Sequence, residues 1–89
     1  MTTIEKQQAA NLAVLIETLD EQRDGYLVPE SILYLGLETV GVTLAQFRGL
    51  VGAMLGAGVA ERADRTESRL RITAKGREVA ARIREARGE

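Results

Sequence analysis

The sequence contains no cysteine, no histidine and no tryptophan, and only one proline. Without thiols there is neither a disulfide framework nor thiolate chemistry. Without imidazole, the usual acid–base group and metal ligand near neutral pH is missing. The aromatics are Tyr26, Tyr34 and Phe47, so a core has to come from Leu, Ile, Val and Ala. No run approaches the ~18 apolar residues of a membrane span, and the opening MTTIEKQQ lacks the basic flank and apolar stretch of a signal peptide. Gly-x-Ser-x-Gly, phosphate-loop and EF-hand spacings are missing too. The acids of DEQRD (20–24) have no ligand spacing and read as a solvated helix end. The expectation is a cytoplasmic protein that is not an enzyme. It has no catalytic residues, metal site, cofactor, membrane contact or evident small-molecule ligand.

What is present is an ordinary globular composition, 45% hydrophobic and 28% charged. Eighty-nine residues suit one domain, 1–89. A chain of this size buries somewhat over ~60% of its unfolded surface, so a partner subunit could add stability. Net charge is −1, unevenly spread. Residues 1–40 carry two basic and seven acidic side chains (net −5), residues 41–89 ten basic and six acidic (net +4). That pattern predicts one acidic and one basic end.

Apolar spacing predicts four helices at about 3–20, 29–39, 43–56 and 74–87, and a hairpin at about 59–72. In the first, Leu12, Leu15, Ile16 and Leu19 form a buried stripe, with Ala10 and Val14 as a weak second strip opposite. Thr2 with Glu5 fits a capping box. Asp24-Gly25 signals a turn, YLV a short strand, and Pro29 the first position of the second helix, which buries Ile32, Leu33 and Leu37. Gly41 suits a left-handed cap, and Thr43 with Gln46 a capping box that starts the third helix. Two helices joined by a short glycine-containing turn make a helix-turn-helix. VAER and RLRI read as strands around DRTE, and Thr73 caps the last helix.

This order, with LGAGVAERAD followed by RLRITAKGREVAARI, resembles the winged helix-turn-helix DNA-binding domains, MarR-like regulators among them. The matching residues are Leu55, Gly58, Val59, Arg62, Ile72, Thr73 and Gly76. DGYLVPESILYLGL is also similar to small winged-helix proteins of Mu-like phages. The resemblance covers roughly residues 10 to 85. It implies a mainly α fold with a small β-hairpin (α+β), ordered helix–short strand–helix–helix–hairpin wing–helix. It also implies a third helix in the major groove of double-stranded DNA, a wing on phosphate or minor groove, and dimerisation.

On a helical wheel the third helix gathers Leu44, Phe47, Val51, Met54 and Leu55 on one side, with Arg48 at the edge. The other side is nearly bare: Ala45, Gln46, Gly49, Gly52, Ala53 and Gly56. It suits close approach of a DNA backbone or of a second protein helix, or is simply a tolerated exposed face. Base readers are few: Gln46, with Arg48 at the margin and Thr43 at the cap. A four-residue DRTE loop would pair Arg62 with Arg69 and Ala60 with Arg71, leaving Val59, Ile72, Glu61 and Leu70 on the other face. With Arg65 at the tip and Lys75 just beyond, Arg62, Arg69 and Arg71 would hold phosphate, or else form a solvated face neutralised by Asp64, Glu61 and Glu67. The last helix, through Val79, Ala80, Ile83 and Ala86, either completes the core or pairs with a second copy.

The sequence therefore predicts a DNA-binding homodimer, a small transcriptional regulator, with Thr43, Gln46, Arg48, Arg62, Arg65, Arg69, Arg71 and Lys75 on DNA. Partner packing falls to Ala45, Gly49, Gly52, Ala53, Val79 and Ile83. The alternative is a winged-helix interaction module that does not bind DNA.

Overall fold

The computed structural model describes residues 2–63 and 68–88. Helix α1 spans Thr3–Asp20, strand β1 Val28–Pro29, α2 Glu30–Glu38 and α3 Leu44–Ala57. Strands β2 (Ala60–Arg62) and β3 (Arg69–Ile72) precede α4 (Ala74–Ala86). The chain is mainly helical with a small antiparallel sheet, an α+β arrangement.

The helix starts follow from the side chains that cap them. Thr2 Oγ1 accepts from the Glu5 N–H at 3.2 Å. At α3 the capping box is complete: Thr43 Oγ1 accepts from the Gln46 N–H (3.1 Å), and Gln46 Oε1 accepts from the Thr43 N–H (2.9 Å). Thr73 does double duty, accepting from the Gly76 N–H and donating to the Gly58 carbonyl at 2.6 Å. Gly58 ends α3 in the left-handed region at φ 73°, where a side chain would be strained.

Leu15, Leu19, Val51, Met54 and Leu70 are the most deeply buried large side chains. They join the inner faces of α1 and α3 to β3, the middle strand of the order β1–β3–β2. Helix α4 lies along α1, whereas α1 and α2 scarcely touch.

Several expectations need correction. Val28 and Pro29 pair with Leu70 and Arg69, so the hairpin is part of a three-stranded sheet. Pro29 ends β1 and caps α2 with extended backbone (ψ 133°) instead of opening the helix. Ile32, expected inside, is 59% exposed. On α3, Leu44 is largely exposed, and Leu50 takes its place among the buried residues. The β2–β3 register also differs by one residue: Ala60 faces Ile72, Glu61 faces Arg71 and Arg62 faces Leu70. The cause lies at the end of α3. Val59 donates its N–H to the Met54 carbonyl as part of the helix cap. Its buried side chain thus belongs to the cap, and the alternating strand face begins at Ala60.

Candidate functional site

That one-residue shift decides what the hairpin can do, because it moves each side chain to the opposite face. Arg62 now shares the face of Leu70, not that of Arg69 and Arg71. It reaches the start of α2, where its guanidinium donates to both carboxylate oxygens of Glu30 at 3.2 and 3.4 Å. Arg71 faces Glu61 and donates to it at 2.6 Å. The expected opposition of Arg62 and Arg69 is absent, and with it the repulsion that a phosphate would relieve. Arg69 is exposed and also has a bonding partner. Arg65 and the rest of the expected DRTE loop lie outside the described residues.

Of the other basic side chains expected at one end of the molecule, Arg77, Arg84 and Arg87 are held by the acidic half of the chain. Arg77 bridges the Asp20 carboxylate at 3.0 Å, the Asp20 carbonyl at 3.0 Å and Asp24 at 2.6 Å. Arg84 bonds Asp20 and lies 3.6 Å from Glu17, and Arg87 also bonds Glu17. The hydrogen bond to Asp20 raises the Arg84 pKa further, against the opposing effect of burial. The sequence asymmetry is thus answered in part inside the fold: the end of α1 clamps α4, and the start of α2 clamps β2. Among the described residues, Arg48 and Lys75 of the expected DNA-binding set are exposed and take part in no ion pair.

The start of α3 offers little for reading bases, since the Thr43 hydroxyl and the Gln46 amide oxygen are both committed to the capping box. Ala45, Gly49, Gly52 and Ala53 are all exposed, so the bare side of α3 is uncovered within the chain. It borders a groove of about 590 Å³ whose other wall is Glu5, Gln8, Ala9 and Leu12 of α1. Val79 and Ile83, expected to be available to a partner, are half-buried and pack against the core. Helix α4 spends its apolar stripe inside its own chain.

One surface was not singled out by the sequence. Where α1 and α2 diverge they leave a groove of about 590 Å³, lined by Asn11, Val14, Thr18, Tyr26, Ile32, Leu33 and Val40 among others. A signal for it was present. In ESILYLGLE five of nine residues are large and apolar, more than one buried face can hold. Leu33 and Leu37 fill the inner face, which leaves Ile32 and Leu35 outside at 59% and 61% exposure.

Among the described residues no group of three or more acidic side chains is placed to hold a metal ion, and no helix is long and apolar enough to cross a membrane. Comparison with family models, curated proteins and solved structures finds no match.

Proposed function

We propose that this chain is a winged-helix interaction module that works by pairing with a second copy of itself through exposed apolar helix surface. The observation that carries the reading is the pairing of arginines with the chain's own carboxylates. Arg62 is held by Glu30 and Arg71 by Glu61, on opposite faces of the sheet. The basic ribbon on which DNA binding depended is therefore divided. Meanwhile Val14, Ile32, Leu35 and Val40 are each at least half exposed, and Val14, Ile32 and Val40 line one groove. Apolar surface of this kind gains most by leaving water. The element order supports the winged-helix assignment, with β1 completing the sheet beside the hairpin.

DNA binding is the second reading, favoured by a specific observation. The Arg62 and Arg71 side chains remain over 40% exposed, and the Arg71–Glu61 pair, exposed on both sides, contributes only about 0–1 kcal/mol. A phosphate could displace the carboxylates and recruit Arg48, Lys75 and Arg69. Mobility-shift titration against random-sequence duplex at two salt concentrations, with light scattering of the same samples, separates the readings. The module gives negligible DNA affinity at both salts and a concentration-dependent rise in mass. A DNA binder shifts the duplex, and its affinity falls steeply with salt.

A further inference from the structure

Helix α4 is held to the rest of the chain in two different ways. Its apolar share is small: Gly76 and Ala80 are its buried residues, and Val79 and Ile83 are only partly buried against the core. The largest fully buried side chains, Leu15, Leu19, Val51, Met54 and Leu70, belong to α1, α3 and β3. The charged share is ordered. Glu17, Asp20 and Asp24 recur three and four residues apart at the end of α1 and just beyond it, and they meet Arg77, Arg84 and Arg87 in reverse order. Arg77 pairs with Asp24 at 2.6 Å and Asp20 at 3.0 Å, Arg84 with Asp20 and, at 3.6 Å, with Glu17, and Arg87 with Glu17. The Glu17 and Asp20 side chains are 14% and 15% exposed, whereas the three arginines are 33%, 34% and 51% exposed. Dissolved ions therefore reach each of these pairs from the arginine side. The two ends of α4 also differ. Its start is fastened by backbone: the Thr73 N–H donates to the Val59 carbonyl at 3.1 Å, the Thr73 hydroxyl donates to the Gly58 carbonyl, and Gly76 seats against Val59 and Ile72. Past Ile83, Arg84 and Arg87 hold the helix to α1.

We infer that α4 is an ion-latched lid, which swings off α1 about Thr73 when its guanidinium–carboxylate pairs are screened, while α1, α3 and the sheet stay folded. Salt acts unequally on the two kinds of hold. It cuts the reach of exposed charges from about 30 Å at 0.01 M to about 3 Å at 1 M, whereas the burial of Leu15, Leu19, Val51, Met54 and Leu70 is apolar and is not screened. A segment with few buried apolar contacts opens before the core does. The pairs are also linked, which makes the opening a single event. Asp20 serves both Arg77 and Arg84, and Glu17 both Arg84 and Arg87. Arg77 further donates to the Asp20 and Gln22 carbonyls at 3.0 and 3.4 Å, so its release also loosens the connection from α1 to β1. The latch thereby turns ionic strength into a change of shape that bares the side of α1 under α4.

Amide hydrogen exchange of the full chain, followed residue by residue by NMR at one fixed chain concentration, tests this in about 0.01 M and about 1 M sodium chloride. In the wild type, protection along α4 falls by about tenfold or more between the two salts, and protection in α3 changes by less than about twofold. Glu17→Gln with Asp20→Asn removes the two carboxylates that all three arginines share. At low salt this double variant shows the α4 protection that the wild type has at high salt, and added salt lowers it little further. Its α3 protection reports that the body is still folded. A wild-type α4 whose protection ignores salt overturns the latch. So does a fall in α3 that matches the fall in α4, since α4 is then part of one cooperative core. A folded double variant that keeps wild-type protection in α4 overturns it as well. If the double variant does not fold, the wild-type salt series decides alone.

Discussion

The glycines of the protein make opposite stability predictions, and the most informative perturbation is the pair Gly49→Ala with Gly52→Ala. Both lie inside α3 without positive φ, and a Cβ placed at either meets no atom within 4 Å. Alanine there keeps every native contact and removes the conformational freedom that glycine loses on folding, about 0.8–1 kcal/mol per site. With no shared side-chain partner the two add, giving about 1.5–2 kcal/mol. For a domain of this size that raises the thermal midpoint by about 6–16 °C. Gly76→Ala is the converse. Its Cβ would fall 2.1 Å from the Val59 carbonyl oxygen and 2.6 Å from Ile72 Cγ1. The backbone at Val59, between α3 and β2, cannot yield as a flexible side chain does, so α4 has to back away from it, at a cost of about 1–3 kcal/mol or more. Thermal and guanidinium unfolding by circular dichroism, at one fixed chain concentration, measures both. A double variant no more stable than the wild type would mean that this side of α3 is not open. A Gly76→Ala protein of undiminished stability would mean that α4 does not seat on Val59.

Other outcomes follow from the same contacts. Asp20→Ala removes the carboxylate shared by Arg77 and Arg84, and destabilises by about 1–2 kcal/mol, discounted because both arginines are a third exposed. Chemical denaturation at low and high salt reads this, with a smaller loss at high salt. Thr43→Ala removes half of the α3 capping box and costs about 1 kcal/mol in the same assay. Glu30→Gln with Glu61→Gln frees Arg62 and Arg71 and creates salt-sensitive affinity for random duplex where the wild type has little; a double variant as inert as the wild type would show that these carboxylates are not what withholds the arginines. The Tyr34 phenol, hydrogen-bonded to the Glu38 carboxylate one helical turn on, is held above its ordinary pKa of 10.0. Its contribution to stability is present below the unfolded pKa and lost as pH rises through the folded one. Ultraviolet difference titration sees Tyr34 ionise at lower pH in Glu38→Gln.

The local features were legible because they are written in neighbouring residues. Thr2, Thr43 and Thr73 cap the helices expected from them, and Gly41 takes the positive φ expected of it. The inner face of α1 was readable from Leu15, Ile16 and Leu19. What escaped depends on distant parts of the chain. The β2–β3 register follows from Val59 being drawn into the α3 cap, and one residue of shift was enough to part Arg62 from Arg71. The bonds from Asp20 to Arg77 and Arg84 join residues some sixty positions apart, so charge asymmetry along the sequence gave no hint that the two halves neutralise each other. Ile32 was assigned inward on spacing alone, which cannot tell which face of a helix as apolar as α2 meets the core. Its exposure, and hence the groove, became visible only once α1 and α2 were seen to diverge.

Arg62 and Arg71 of the hairpin are paired with the chain's own carboxylates, and we propose that exposed apolar helix surface joins two copies. The direct measurement is the sedimentation mass of the full chain over a range of concentrations, with and without random-sequence duplex. The expected result is a rise from 9.7 kDa toward twice that value, unchanged by duplex. A chain that stays single alone and gains mass only with duplex, in a manner abolished by salt, would contradict it.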